Sequence, residues 1–226
     1  MNWNKLKNQP FVTIGFLSIQ TAVFLLAYLL PGLLIEFRGS MFGPLIALNH
    51  EYWRFVTPIF IHYGLMHFAI NSVILYYMGQ QVEAIYGHGR FFLIYLLSGV
   101  LGNVLGFAFN DMNVQAAGAS TSLFGIFGAF IVLGIHFKNN PGIQAMVRQF
   151  SLFIVLNLVF GLFDQTIDMY GHLGGLIGGI LMGNIVALPM RVGKTYSIHV
   201  RIISAMILLF LLFFCIVYGL KRYQVI

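Results

Sequence analysis

The chain has 226 residues, of which 59% are hydrophobic and only 8% are charged, and its net charge is +6. A soluble domain is about 25% charged, so the composition argues against a soluble enzyme and against a disordered chain. The basic residues are scattered between apolar blocks rather than gathered on one face, which argues against a nucleic-acid partner and is typical of the charge bias of a membrane protein.

Seven apolar segments approach the length of about 20 residues that a membrane-spanning helix needs. They are 11–30, 58–80, 91–109, 120–137, 150–163, 170–188 and 202–220. The fifth segment is short, and the helix is expected to extend back toward Ala145. The run from Asn139 to Gly142 ends the fourth segment. The pattern predicts an all-α polytopic membrane protein embedded in a lipid bilayer.

The segments outside these spans are short, with one exception. Residues 1–10 are basic and lead into the first span without a small-residue cleavage site, so we expect a cytoplasmic N-terminus rather than a signal peptide. The exception is the outer loop 32–57, which is too apolar for a free solvent loop, and we expect it to fold partly within the membrane interface. Cys215 is the only cysteine, so the sequence predicts no intrachain disulfide.

Lysine and arginine in the loops set the orientation, because cytoplasmic loops carry the excess of them. With the N-terminus inside, the inner residues are Lys5, Lys7, Arg90, Lys138, Arg148, Arg191, Lys194 and Arg201. The outer residues are then Arg38, Arg54, Lys221 and Arg222. The inner excess predicts a cytoplasmic N-terminus and an outer C-terminus.

Three polar clusters interrupt the spans, where polar residues are costly. In the second span, His67 and Asn71 lie one turn apart on the same helix face, and His62 lies toward the outer end. These side chains are able to donate hydrogen bonds to an anion. The plainer interpretation is that they join neighbouring helices.

The second cluster opens the fourth span, where Gly118 and Ala119 precede Ser120. A serine at the start of a helix is commonly an N-cap. It is also a candidate nucleophile, because the backbone N–H groups and the helix dipole at that position stabilise developing negative charge.

The third cluster opens the sixth span, where His172 is followed by glycines at 174, 175, 178 and 179. This spacing of small residues lets another helix backbone approach closely, which brings the imidazole within reach of the facing helix. The plainer interpretation is a structural histidine near the outer interface.

On the predicted topology, His67, Ser120 and His172 all lie toward the outer ends of their spans. A hydroxyl, an imidazole and hydrogen-bond donors at similar depth are the parts of an acyl-transfer site. Peptide hydrolysis also needs water, so such a site has to open to the outer aqueous phase.

In order and spacing, these clusters resemble the motifs of the rhomboid family of intramembrane serine proteases, over residues 49–183 or so. The matching residues are His62, His67 and Asn71, then Gly118 and Ser120, Leu123 to Gly125, His172 to Gly175, Trp53 and Arg54 followed by Thr57 and Pro58, and Glu83 and Gly87.

The resemblance implies a serine endopeptidase in which Ser120 is the nucleophile and His172 the general base, as a dyad. It implies an oxyanion hole made by His67, Asn71 and the Ser120 backbone N–H. Supporting roles are implied for Phe124, packed against His172, and for Gly118, His62, Trp53, Arg54 and Glu83.

The implied architecture is a six-helix bundle in residues 11–188, including the outer loop 32–57, with one extra C-terminal transmembrane helix within 189–226. The implied cavity opens outward beneath the loop 110–117 and a cap over 164–169. Substrates are expected to be other membrane proteins, cut in or near a transmembrane segment. The expected location is a bacterial plasma membrane, with the site toward the outer face.

The resemblance requires no cofactor, and the histidines lack the carboxylate or cysteine neighbours at span depth that a metal site would use. The family usually has glycine after the nucleophile, whereas this chain has Thr121, and we expect its β-branched side chain to add bulk beside the oxyanion hole. Asp168 lies four residues before His172, which leaves open a triad in which it orients the imidazole. The plainer interpretation of Asp168 is a solvated loop carboxylate.

Two other classes of function compete with a protease. The first is a catalytically inactive rhomboid-like protein that binds membrane helices, against which the presence of both Ser120 and His172 argues. The second is a small transporter or channel, against which the lack of a charged midplane residue and of an inverted repeat argues. The sequence does not specify the oligomeric state.

Overall fold

The computed structural model describes residues 9–163, 167–188 and 196–226. Its helices are α1 (Phe11–Leu29), α2 (Ile35–Gly39), α3 (Gly43–Asn49), α4 (Gly64–Ile74), α5 (Gln80–Tyr86), α6 (His88–Phe109), α7 (Ser120–His136), α8 (Pro141–Phe163), α9 (Met169–Val186) and α10 (Ile198–Arg222). Two short strands, β1 (Met41–Phe42) and β2 (Gln115–Ala116), three 3-10 turns (Pro31–Leu33, Tyr52–Phe55 and Thr57–Phe60) and one π-helical segment (Leu75–Gly79) complete the regular structure of this part of the chain. The predicted loop charges Lys5, Lys7, Arg191 and Lys194, and the predicted cap residue Asp164, lie outside the described residues.

Four helices in the described ranges are long and apolar enough to cross a membrane, namely α1, α6, α9 and α10. α7 and residues 141–156 of α8 form shorter apolar helices. Apolar side chains cover the outer surfaces of α1 and α10, which are mostly exposed, whereas most of α6 is buried among the other helices. The chain is therefore a helical, polytopic integral membrane protein.

The second span begins later than the sequence predicted. Pro58 belongs to a 3-10 turn (Thr57–Phe60), and the helix starts at Gly64, whose φ of +80° is one that other residues rarely adopt. From there it runs through α4, one π-helical segment at Leu75–Gly79 and α5 to Tyr86. The predicted range 58–80 is wrong at both ends, and His62 consequently lies in the loop before the helix.

The fifth span is longer than predicted and starts at Pro141. Asn140, expected to end the preceding helix, accepts a hydrogen bond from the Ile143 backbone N–H through its side-chain oxygen, at 3.1 Å. An asparagine acceptor followed by proline at the first helical position is a helix start. The same residues therefore separate α7 from α8 and begin α8.

The outer loop 32–57 is folded around the buried guanidinium of Arg54. The Nη1 atom donates to the carbonyls of Phe37 and Ser40 at 2.8 and 2.7 Å, and Nε donates to the Glu51 carboxylate at 2.6 Å. Trp53, next to it, is 53% exposed, a position typical of an interfacial tryptophan. The loop also supplies β1, whose antiparallel partner is β2.

Glu83, in the middle of α5, fixes the start of α1. Its buried carboxylate accepts hydrogen bonds from the backbone N–H groups of Val12 and Thr13, at 2.9 and 2.8 Å, and from the Thr13 hydroxyl at 2.6 Å. His88 donates to the same carboxylate. The first N–H groups of a helix lack partners within it and carry partial positive charge, so Glu83 acts as an N-cap supplied by another helix.

Glycines on α9 bring its backbone against α7. A Cβ atom at Gly175 would collide with the Thr121 carbonyl oxygen, and one at Gly179 would collide with the Gly125 carbonyl oxygen. No larger side chain fits either place unless the helices separate.

A second row of glycines brings the same helix against α6. A Cβ at Gly174 would lie 2.9 Å from the Gly102 Cα, and one at Gly178 would lie 2.9 Å from the Ser98 Cα. α9 is thus held between α6 and α7 by direct backbone contact. We call these four glycines of α9 (Gly174, Gly175, Gly178 and Gly179) the glycine seam.

The seam makes a testable prediction. Gly179→Ala places a methyl group against the Gly125 carbonyl, and we expect it to destabilise the protein by about 1–3 kcal/mol, the usual cost of overpacking. The matched control is Gly15→Ala in α1, where an added Cβ meets no atom within 4 Å and should be neutral or stabilise by about 0.5–1 kcal/mol. Thermal unfolding in detergent measures both, and equal melting temperatures for the two variants would contradict the seam.

Candidate active site

α7 begins at Ser120, immediately after a turn that requires glycine. Gly118 has a φ of +141°, and its N–H donates to the Pro58 carbonyl at 2.9 Å. The N-cap position is taken by Ala119, without a side-chain cap, so Ser120 is not the N-cap of α7. No hydrogen bond joins the Ser120 hydroxyl to another of the described residues.

The imidazole of His67, from α4, lies beside this hydroxyl. A Cβ atom placed on Gly118 would be 2.8 Å from His67 Nε2 and 3.5 Å from Ser120 Oγ. Both side chains therefore converge on the Gly118 Cα, and the absence of a side chain there makes room for the ring.

The tautomer of His67 follows from its other ring nitrogen. The backbone N–H of Tyr63 donates to His67 Nδ1 at 3.3 Å. Because Nδ1 accepts, the neutral ring carries its proton on Nε2. Nε2 and the neighbouring Cε1 are the ring atoms beside Gly118, so His67 carries a donor at the position where Ser120 Oγ also approaches.

His62 differs from the predicted anion donor. Its Nε2 accepts a hydrogen bond from the Ala119 backbone N–H at 3.4 Å, and its ring packs edge-on against that of His67, with centroids 5.2 Å apart. The side chain is buried. His62 thus supports the chain before Ser120 and packs against His67, and its Nε2 is occupied as an acceptor, whereas its buried Nδ1 has no partner among the described residues.

Asn71 lies one turn beyond His67 and is also buried. One N–H of its side-chain amide donates to the His67 carbonyl, with Nδ2 at 2.8 Å. An amide has two such donors, so the bond orients the group and leaves the second N–H free.

His172, near the start of α9, stacks on Phe124 of α7. The ring centroids are 4.3 Å apart and the planes differ by 15°. Nδ1 is buried and has no partner within the described residues, and no hydrogen bond in that part of the chain joins the imidazole to Ser120. The contact with Phe124 therefore restrains the imidazole by stacking rather than by a hydrogen bond to its Nδ1.

Asp168 does not orient His172. Its Oδ1 accepts hydrogen bonds from the Gly171 N–H at 2.7 Å and from Asn110 Nδ2 at 3.0 Å, and no bond in the described ranges links it to the imidazole. Burial raises the pKa of this carboxyl, although the two bonds oppose the effect. Both sequence interpretations are therefore corrected, since Asp168 is neither a triad member nor a solvated loop residue but the N-cap of α9.

Thr121 also differs from expectation. A Cβ atom on Gly102 of α6 would lie 2.8 Å from the Thr121 Cβ, so the threonine side chain fills the interface between α6 and α7. It is buried there. The extra bulk that we expected beside the oxyanion hole lies instead in the helix interface, next to a glycine small enough to receive it.

The structure brings together His62, His67, Asn71, Gly118, Ser120, Phe124 and His172. The hydrogen bonds of Trp53, Arg54 and Glu83 go instead to the outer loop, α1 and His88. Sequence reasoning did not identify Asn110, because a lone asparagine after a long helix is typical of an ordinary helix end. Only the fold places its amide beside Asp168.

The N-cap assignment of Asp168 is testable by two substitutions. Asp168→Ala removes the acceptor and should cost about 0.5–2 kcal/mol. Asp168→Asn keeps an oxygen for Gly171 and Asn110 and removes a buried charge, so its melting temperature should equal or exceed that of the parent. Calorimetry in detergent at neutral pH compares the three proteins, and equal losses in both variants would contradict the assignment.

Comparisons with known proteins place this architecture in a family. The sequence profile of the Rhomboid domain matches residues 49–189. Rhomboid protease GluP of Bacillus subtilis is 35% identical over 217 residues, which are 94% of this chain and 41% of that protein. Putative rhomboid protease YdcA of the same organism is 29% identical over 76% of this chain and 86% of its own length.

A plant relative carries a different name. Inactive RHOMBOID-like protein 8 of Arabidopsis thaliana is 33% identical over 147 residues, which are 63% of this chain and 40% of that protein. The matched region thus occurs both in proteins named as proteases and in one named as inactive. The chain spans less than half of the length of two of these three relatives.

Proposed function

The chain belongs to the rhomboid family, and we propose that it is an intramembrane serine endopeptidase that cuts peptide bonds in or near transmembrane segments of other membrane proteins. The observation that carries the proposal is the stacking of His172 on Phe124, one helical turn beyond Ser120, together with the approach of His67 Nε2 and Ser120 Oγ to the same Gly118 Cα.

In the proposed reaction, the Ser120 Oγ attacks the carbonyl carbon of the scissile bond. His172 takes the hydroxyl proton and then returns it to the leaving amine, so that an acyl-enzyme remains. A water molecule, activated by the same imidazole, releases the acyl group. The dyad needs no acidic partner, in keeping with the capping role of Asp168.

Three donors would stabilise the tetrahedral oxyanion. His67 offers Nε2–H, because the Tyr63 N–H occupies its Nδ1. Asn71 offers its second amide N–H, and Ser120 offers its backbone N–H at the first position of α7, where the helix dipole favours negative charge. Donors held in place before the reaction stabilise the transition state without a reorganisation cost.

We further propose the six-plus-one arrangement, with a cytoplasmic segment at 1–10, a six-helix core at 11–188 and the seventh helix within 189–226. In this arrangement the N-terminus is cytoplasmic, the membrane is the plasma membrane of a bacterium, and the site opens to the outer face. The excess of inner lysine and arginine supports this orientation. Water and substrate would then enter beneath the loop 110–117.

The competing proposal is an inactive rhomboid-like protein that binds membrane helices. It is supported by the plant relative, which is named as inactive. Such a protein needs neither a free hydroxyl at position 120 nor a ring stacked at position 172. Serine reactivity therefore separates the two functions.

The dyad is tested with purified protein in liposomes and a single-span model substrate. We expect Ser120→Ala and His172→Ala each to lower kcat by about a thousandfold or more, because nucleophile and base act as a unit. Ser122→Ala and His199→Ala are the matched controls, since Ser122 lies on the same helix facing Gly99 and His199 is exposed near the start of α10.

The controls should cut at the parental rate, and a fluorophosphonate probe should label the parent but not Ser120→Ala. Cleavage that survives in both dyad variants, or a parent that neither cleaves nor reacts with the probe, would refute the protease proposal.

The oxyanion hole makes a separate prediction. His67→Ala and Asn71→Ala should each lower kcat by about 100- to 1,000-fold while KM changes little, because these donors act on the transition state. Single-turnover cleavage measures the chemical step directly. A variant that raises KM alone would show instead that its side chain binds the substrate.

A further inference from the structure

A chain of hydrogen bonds runs from the end of α10 to the start of α9. Arg222, the last residue of α10, donates through Nη1 to the carbonyls of Ala108 and Asn110, at 2.6 and 3.0 Å. The Asn110 amide donates to Asp168 Oδ1 at 3.0 Å, and the same oxygen accepts from the Gly171 N–H at 2.7 Å. Gly171 immediately precedes His172.

The contacts of Arg222 suit the place where they occur. α6 ends at Phe109, and the carbonyls of a last helical turn have no partner within their own helix. A cation is favourable at this negative end of the helix dipole. Arg222 thus caps α6 from another helix and holds the chain at the residue where the loop 110–117 begins.

Tyr223 makes a second attachment to the same loop. Its hydroxyl donates to the Met112 carbonyl at 2.9 Å, and its ring stacks on Phe107 with centroids 5.6 Å apart and planes 8° apart. A side chain on Gly43 of α3 would collide with the Tyr223 hydroxyl, so the ring is enclosed by the outer loop as well.

Each member of the proposed dyad follows one of these attachments along the chain. The loop 110–117 continues through β2 into Gly118 and Ser120, and β2 is paired with β1 of the outer loop. At the other end of the chain of bonds, Asp168 caps the first turn of α9, which carries His172. A shift at Arg222 therefore acts on both sides of the site.

We propose that the end of α10 sets the separation between Ser120 and His172, with Arg222 and Asn110 as positioning residues for the reaction. The inference rests on the proposed function and extends it, because it assigns a catalytic task to a helix that contributes no reacting group. The task matters because a misplacement of about 1 Å at a reacting group can cost about 100-fold in rate.

The experiment compares Arg222→Ala, Arg222→Lys and a matched control. Arg201→Ala is the control, because Arg201 lies at the other end of α10 and its Nε donates to the Ile185 carbonyl at 3.0 Å. Each alanine variant removes an arginine that donates to backbone carbonyls, to two beside the site for Arg222 and to one far along the helix for Arg201. Readouts are kcat and KM with a single-span substrate, the melting temperature, and backbone hydrogen exchange followed by mass spectrometry.

We expect Arg222→Ala to lower kcat by about 10- to 100-fold, with KM and melting temperature close to the parental values. Hydrogen exchange should rise in two separate segments, 110–117 and 168–172. Arg222→Lys keeps the charge and one donor without the planar fork, and should recover part of kcat. Arg201→Ala should change neither kcat nor exchange in these segments.

Some results would overturn the inference. Unchanged hydrogen exchange in 168–172 after Arg222→Ala would show that no coupling passes through Asn110. Equal effects of Arg201→Ala and Arg222→Ala would show that both act only through general stability. If Arg222→Ala does not accumulate, Tyr223→Phe is measured in its place, because it removes only the hydroxyl that bonds to the Met112 carbonyl. Parental values of kcat and of hydrogen exchange in 110–117 for that variant would overturn the inference. A parent without serine-dependent cleavage would refute the protease function alone, because hydrogen exchange still tests the positioning chain.

Discussion

Direct backbone contact between α9 and its two neighbours is the constraint on which the site depends. His172 reaches Phe124 only because Gly175 lies against the Thr121 carbonyl and the seam continues along the helix. In a membrane, helix association gains little from hydrophobic burial, since lipid is as apolar as the side chains it replaces. Close packing of small residues is therefore the main attraction available, and here it also sets the position of the imidazole.

Hydrogen bonds at helix ends complete what packing begins. Glu83 caps α1, Asp168 caps α9 and Arg222 caps α6, each from a different element of the chain. The first N–H groups and the last carbonyls of a helix have no partner within it, and these charged side chains supply one. The chain has few charged residues, and several of them cap helix ends. These caps restrain the ends of the helices relative to one another.

The sequence predicted a helical membrane protein of the rhomboid family, but not the bounds of every helix and not the contacts that support the candidate site. The spans follow from apolar length, and Ser120 and His172 follow from the spacing of motifs. The start of α4 escaped prediction because a turn at Gly64 separates it from the apolar run that precedes it. The packing direction of Thr121 and the cap formed by Asp168 depend on which helix lies opposite, and single-chain periodicity carries no information on that.

The candidate site contains polar atoms that the surrounding scaffold holds in place without bonding to them. His172 Nδ1 is buried without a partner among the described residues, and a buried unpaired polar atom costs about 1–3 kcal/mol. Such a group persists only where the surroundings hold it in place. The seam, the Phe124 ring and the capped start of α9 provide that hold, because each fixes the backbone or the ring without bonding to the imidazole nitrogens. A scaffold that restrains His172 by stacking rather than by hydrogen bonds leaves the ring able to exchange a proton, which the proposed chemistry requires.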